Sequence, residues 1–419
     1  MRIRGAICEG ISKTNSGIVA GIAATMAAAT LALAPAPAWA VVDVAADNPF
    51  IQYYGRFDAA NPKKPRCDWP GSSIETRFTG TSITVKISGG SNDFNVIVDG
   101  VWKSKLTVDG KTSQVAASGL TDGTHTLLLT KRTEGFNGIS TFEGFQLKDG
   151  KALMAPPPKG IKKIQFIGDS FTAGYGDEAT VLSCPDRRPY DNNYVAYGPV
   201  TARAVGADYS VQAVSGIGMV HNNGDALAAS ARPMPTYFEN TLFGADTPKW
   251  DVTKWIPDVV VLALGTNDFS TKPSPTEAQY STAYKDFLKK LRAWYPNAQI
   301  LCLTYPVDTF QQKYVDTIVN QVAAGGDKKI RHVHFPSLNQ ATDLGCDYHP
   351  NVSGQQKYAD ALTPIIREYL GTSALKKPAR AHKIQAGPKP LQGETWRVPY
   401  QKPDGPADWA DARGKLFAF

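Results

Sequence analysis

Apolar and polar positions follow two different rhythms along this chain. From about Ile51 to Gly150 the runs TSITVKI, FNVIVDG, KSKLTVDG, HTLLLTKRTE and TFEGFQLKDG alternate apolar with polar residues, and Gly, Asn and Asp interrupt them at short intervals. A period of two buries one face of each strand, so residues 41–154 are expected to form a β-sandwich or jelly-roll domain. Residues 155–160, Ala-Pro-Pro-Pro-Lys-Gly, read as a stiff linker. Beyond it the runs IKKIQFIG, PDVVVLALG and AQILCLTYP are apolar without alternation, as in strands covered on both faces. Between them the spacing turns helical. Tyr280, Tyr284, Phe287, Leu288, Leu291 and Trp294 predict a helix over 279–295 that Pro296 ends. Tyr358, Leu362, Ile365, Ile366 and Tyr369 predict another, capped by Ser353 and bent or shortened at Pro364. Strands alternating with helices imply an α/β fold, a parallel sheet flanked by helices, over residues 161–371.

The two ends have different characters. Arg2, Arg4 and Lys13 precede a small, apolar run from Gly17 to Leu33, and Ala38-Trp39-Ala40 places small residues two apart. Residues 1–40 therefore read as a signal peptide, which implies a secreted or periplasmic protein with no membrane attachment after cleavage. Residues 372–419 form a Pro/Lys-rich tail with three aromatics, Trp396, Tyr400 and Trp409, and no sustained period; a flexible tail and a packed strap both fit.

Composition narrows the class. At 42% hydrophobic and 20% charged the chain is globular, and the leader holds three cations and one anion, so its removal takes the formal charge from +7 to +5. A mild, scattered excess argues against a nucleic-acid partner. Of five cysteines, Cys8 lies in the leader; Cys67, Cys184, Cys302 and Cys346 remain, with three possible pairings. Cys302 sits in the apolar QILCLTYP run, where a buried free thiol is as natural as a disulfide.

Active sites of open parallel sheets lie beyond the carboxyl ends of the strands. Four candidates fall at such ends. Gly168-Asp169-Ser170 follows IQFI and delivers a serine to a turn; a serine attacks only when a base takes its proton and N–H groups meet the oxyanion. Ser215-Gly216-Ile217-Gly218 follows YSVQAV and offers backbone N–H groups. Gly265-Thr266-Asn267-Asp268 follows PDVVVLAL, and an Asn there can donate to an oxyanion. Asp347-Tyr348-His349-Pro350 precedes the final helix and supplies a base. Each stretch alone is also a common turn sequence.

Ser, Gly, Asn and His in this order, each at a strand-to-helix junction, resemble the SGNH, or GDSL-type, hydrolases. The preceding sandwich, TKRTE, FEGF, YVAYGPV, SGIG, LGTND and CDYHPN together resemble carbohydrate esterase family 2 over about Ile51 to Leu370. The resemblance implies a flavodoxin-like SGNH fold and removal of O-acetyl groups from plant polysaccharides such as xylan or glucomannan, without metal or other cofactor. It implies Ser170 as nucleophile and His349 as base, with the Ser170 and Gly216 N–H groups and the Asn267 side chain as oxyanion hole. Many SGNH enzymes carry a third carboxylate three residues before the histidine, where this chain has Cys346. Asp347, two before, either orients His349 as the third catalytic residue or leaves that to a backbone carbonyl. A lipid esterase or thioesterase on the same fold, and a non-catalytic carbohydrate-binding protein, are the alternatives; a monomer is the default state.

Other residues have structural explanations. Asp169 and Asp268 adjoin the candidates, where hydrogen bonds that hold the loops are expected of them. His332 and His334 share one face of a strand, but no carboxylate or cysteine cluster accompanies them in the sequence, which argues against a metal. Trp69, Trp102, Trp250 and Trp255 suit a buried core as well as sugar stacking. Asn351-Val352-Ser353 fits a glycosylation sequon but reads as a helix cap.

Overall fold

The structure is a computed structural model that describes residues 40–371 except Lys111 and Asp308; the expected signal peptide and the tail lie outside the described residues. The alternating runs form eleven antiparallel strands in two sheets. One runs in the order Val41–Val44, Ser140–Lys148, Ile83–Ser88, Gln114–Ala117, with Arg66–Cys67 also on Ser140–Lys148. The other runs Leu153–Met154, Ser73–Thr79, Thr124–Lys131, Ser91–Val98, Val101–Asp109, with Ile51–Tyr54 on Ser73–Thr79. Alternation does what it predicts: Ile83, Val85 and Ile87 are buried while Thr84, Lys86 and Ser88 keep contact with solvent. Phe78, Phe94, Val96, Leu127 and Leu129 join them between the sheets.

The second region holds five parallel strands, β1 (Lys163–Gly168), β2 (Asp208–Ala213), β3 (Val259–Ala263), β4 (Gln299–Thr304) and β5 (Ile330–His334), in the order β2-β1-β3-β4-β5. The order reverses at β1, and the loops after β1 and β3 face the crevice where such sheets bind ligands. Helices α1 (Ser170–Ala173), α2 (Tyr197–Val205), α3 (Glu277–Trp294), α4 (Thr309–Ala324) and α5 (Val352–Leu370) follow the strands. Successive residues of β3 point to opposite layers. Val260 and Leu262 pack with Tyr284 and Leu288 of α3 and Ile318 of α4, while Val259 and Val261 pack with Ala202 of α2 and Leu362 of α5.

Local chemistry sets the helix ends. Thr276 and Gln279 form a reciprocal capping box at the start of α3. Asn351, rather than Ser353, caps α5, accepting from Ser353 and Gly354 N–H at 2.9 and 3.2 Å. Pro364 neither shortens nor ends α5, which runs on to Leu370. Pro364 and Asp360, whose carbonyl loses its partner, both lie on the exposed side, where the carbonyl stays open to solvent.

The proline linker does not set the two regions apart, since sandwich and parallel sheet belong to one compact unit. Trp69, a sandwich residue, is buried in the core cluster of the α/β region beside Phe243, and its indole N–H donates to the Thr241 carbonyl at 3.0 Å. Buried Asp68 accepts from the Phe243 and Gly244 N–H groups at 3.0 and 2.7 Å. Buried Arg132 reaches the Asn95 amide oxygen at 2.9 Å, the Asp191 carbonyl at 3.1 Å and the Glu178 carboxylate. Among the described residues no helix is long and apolar enough to cross a membrane.

Candidate active site

β1 ends at Gly168, where a Cβ would meet the Thr172 hydroxyl at 2.0 Å, so only glycine fits as the chain turns into α1. The Asp169 carboxylate caps α1 by accepting from Phe171 N–H at 3.1 Å, and burial pushes that carboxyl up to about 7. Ser170 opens the helix. It is 6% exposed, and its Oγ stands 2.8 Å from Nε2 of His349.

The histidine is fixed from the other side by backbone. Its Nδ1 lies 3.1 Å from the carbonyl oxygen of Asp347. A carbonyl can only accept, so Nδ1 carries the proton and Nε2 presents its lone pair to the Ser170 hydroxyl. The Asp347 carboxylate turns elsewhere and accepts from the Tyr175 hydroxyl at 2.7 Å. Of the two alternatives for orienting His349, the Asp347 carboxylate or a backbone carbonyl, the geometry has the carbonyl: residue 347 meets the imidazole through its main chain, and its carboxylate does not touch the ring. The physical reason is local geometry. Asp347 and Tyr348 have φ of 48° and 61°, a left-handed turn that accompanies the approach of the carbonyl to the Nδ1 edge of the ring. Tyr175 stacks on the imidazole at 4.1 Å and Phe171 meets it edge-on at 5.0 Å. Burial pulls the His349 imidazole down to about 4, against the opposing pull of the Asp347 carbonyl.

The Gly216 and Asn267 loops leave the two strands that flank β1. Gly168 is in register with Ala213 of β2 and Ala263 of β3, so all three loops open at one edge. Gly216 has φ of 74°, and the nearest atom to an added Cβ is 3.9 Å away; it is needed for its left-handed backbone rather than for close approach. The Asn267 amide donates to the Ile217 carbonyl at 2.8 Å, tying the third loop to the second. Asp268 holds the same segment by accepting from the N–H groups of Met219, Val220 and His221 at 2.8, 2.7 and 3.0 Å.

Three residues that the sequence reading left without a role complete the surroundings. Glu134, the last residue of TKRTE, accepts from Ser215 N–H at 2.5 Å and from its hydroxyl at 2.7 Å, and pairs with Arg187. The Arg187 guanidinium lies 4.3 Å over the Tyr175 ring. Cys184, near Arg187 in sequence, is bonded to Cys346, which resolves the open pairing, and Cys67 and Cys302 are free and buried. Of Glu134, Arg187 and Cys184, only Glu134 lies in a stretch that carries the family resemblance, TKRTE.

His332 and His334 do have a carboxylate beside them, contrary to expectation, because α4 packs on β5 and brings Asp316 over. Its Oδ1 is 2.5 Å from His332 Nδ1, while the Thr304 hydroxyl is 2.9 Å from His332 Nε2. The cluster lies on the edge strand, with β3 and β4 between it and β1. It is remote from Ser170 in the sheet.

Sheet order and junction loops define the class, a serine ester hydrolase of the SGNH, or GDSL-type, fold. The GDSL-like lipase/acylhydrolase family model matches residues 166–357, and the carbohydrate esterase 2 N-terminal model matches residues 53–157. The chain belongs to carbohydrate esterase family 2. It is 32% identical over 326 residues to an acetylxylan esterase / glucomannan deacetylase of Cellvibrio japonicus, covering 75% of this chain and 88% of that protein. It is 40% identical over 335 residues to the cellulase/esterase CelE of Acetivibrio thermocellus, covering 78% of this chain. The match spans 40% of CelE's length. A family two carbohydrate esterase from Clostridium thermocellum, solved in complex with cellohexaose, superposes with a TM-score of 0.72 at 37% identity, over 77% of this chain and 99% of that one.

Proposed function

We propose that this protein is an exported carbohydrate esterase that removes O-acetyl groups from plant polysaccharides of the acetylated xylan or glucomannan class. One observation carries the chemistry: Ser170 Oγ and His349 Nε2 stand 2.8 Å apart, with Nδ1 held by a carbonyl. His349 takes the Ser170 proton as Oγ attacks the acetyl carbon, and the Ser170 and Gly216 N–H groups with the Asn267 amide receive the oxyanion. The bond between the acetyl carbon and the sugar oxygen breaks, His349 gives the proton to that departing oxygen, and the acetyl group stays as an ester on Ser170 Oγ. Water, deprotonated by His349, then releases it. The names of the Cellvibrio relative support the substrate class, and the leader over residues 1–40 supports export. On this reading the sandwich, linker and hydrolase occupy 41–154, 155–160 and 161–371.

Acetate release from acetylated xylan, acetylated glucomannan and a short-chain aryl acetate tests the reading. Wild type is expected to act on all three, and Ser170→Ala to lose at least about 10⁴-fold in kcat. Wild type inert on every ester, or Ser170→Ala as active as wild type, overturns it.

A further inference from the structure

We propose that Glu134, a residue of the β-sandwich, is a positioning residue of the hydrolase site that holds the Gly216 loop and the His349 ring in mutual register. The inference rests on the roles given above to Ser170, Gly216 and His349. Glu134 follows the strand Thr124–Lys131 of the outer region, yet its side chain is only 2% exposed and both carboxylate oxygens are engaged in the α/β region. Oε2 accepts from Ser215 N–H and Oε1 from the Ser215 hydroxyl, at 2.5 and 2.7 Å. Two bonds to one residue restrain the peptide that follows it, and that peptide bears the Gly216 N–H. A preorganised donor stabilises an oxyanion because it needs no reorientation as charge develops.

The same carboxylate reaches the base by a second route. It pairs with Arg187, whose guanidinium covers the Tyr175 ring at 4.3 Å, and Tyr175 stacks on His349 at 4.1 Å. The Tyr175 hydroxyl also bonds the Asp347 carboxylate at 2.7 Å, on the residue whose carbonyl holds Nδ1. The Arg187 guanidinium, which also meets Asp191 Oδ2 at 3.4 Å, offsets the charge of Glu134. A lone carboxylate beside the oxyanion loop would oppose the negative charge that builds there, whereas the pair restrains the loop without that penalty. Glu134 touches no reacting atom; it acts through Ser215 on one side and through Arg187 and Tyr175 on the other.

The test compares kcat and KM per folded molecule for the full chain, Glu134→Gln and Ser215→Ala on a short-chain aryl acetate, with the folded fraction taken from thermal melts. Glu134→Gln replaces one acceptor oxygen with an amide, so Ser215 and Arg187 can no longer both be satisfied. Its kcat is expected to fall about 10–100-fold with KM within about 2-fold, the signature of lost transition-state geometry. Ser215→Ala keeps the N–H bond and loses only the hydroxyl bond, for a smaller loss of about 3–10-fold in kcat. A glue between regions would lower the melting temperature and leave kcat per folded molecule unchanged. That result for a folded Glu134→Gln overturns the proposal, and if Glu134→Gln does not fold, wild-type kcat in Ser215→Ala overturns it. An inactive wild type, or a fully active Ser170→Ala, would instead overturn the roles of Ser170 and His349.

Discussion

The sandwich has two interiors of opposite character. Between its own sheets lie Phe78, Val85, Ile87, Phe94, Val96 and Leu129, all apolar. Against the α/β region it buries Trp69 and, around it, five charged residues, Arg56, Asp68, Lys131, Arg132 and Glu134, of which none is more than 2% exposed. An apolar interior is satisfied by volume and accepts many solutions. A charged one is satisfied only by particular partners at particular distances, because an unpaired buried charge is costly. Lys131 shows the expense: burial pushes its amine down to about 8, and it is held by the Thr133 and Glu134 carbonyls at 2.7 and 3.1 Å. The contrast teaches that the first interior makes the sandwich fold, while the second fixes where it docks and so where Glu134 points.

Matched substitutions break or sharpen that contrast. Leu129→Ala in the apolar interior is expected to cost about 3 kcal/mol by chemical denaturation and to leave kcat of the folded enzyme within about 2-fold. Arg132→Met in the seam is expected to cost a similar amount, about 3 kcal/mol. This is the low end for breaking a buried pair, since the Glu178 side chain keeps 34% of its surface in water. Here kcat is expected to fall as well, because Arg132 holds the Asp191 backbone and the Asp191 carboxylate accepts from Gly176 N–H at 2.8 Å, beside Tyr175. Equal kcat in the two folded variants would erase the distinction.

The acid limb of the pH profile gives a second, smaller effect. Only neutral His349 accepts the Ser170 proton, and burial lowers its pKa from 6.5 to about 4. A folded pKa below the ordinary value keeps the base active further into acid. kcat/KM is therefore expected to stay level from pH 8 to about pH 5 and to fall tenfold per unit below about pH 4. A limb near pH 6.5 would mean that the ring stands in open water.

The smallest effect belongs to Asp347→Asn. Asparagine tolerates the left-handed backbone and still accepts from Tyr175, and the carbonyl is untouched. A loss in kcat below about 5-fold is expected, against the about 10⁴-fold that follows when a side-chain carboxylate of a triad is neutralised. Steady-state kinetics on the aryl acetate separates the two.

Much of this layout is legible in the residues. The strands of the parallel sheet, the helices at 277–294 and 352–370, and the four junction loops each announce themselves locally, through apolar runs, three-and-four spacing, and Gly or Ser where a turn must form. Short strands such as Val41–Val44, Gln114–Ala117 and Leu153–Met154 have too few positions to show a period. The Glu134–Ser215 and Arg187–Tyr175 contacts join residues far apart or on different loops, and side-chain type alone does not say which buried charges meet. Nor does it say which way a carbonyl faces. Asp347 illustrates this most plainly, since its chemical identity left carboxylate and carbonyl both open while the folded loop turns its carbonyl to the imidazole.

That oxygen has no codon. Every residue type supplies one, so selection cannot delete the group that holds His349 Nδ1; it can act only on the ease with which positions 347 and 348 adopt φ of 48° and 61°. The side chain at 347 does a separate job, accepting from the Tyr175 hydroxyl at 2.7 Å. A search for inherited triads by residue identity would pass over this position. Engineering it would mean redrawing a loop, since no single substitution reaches the atom that does the holding.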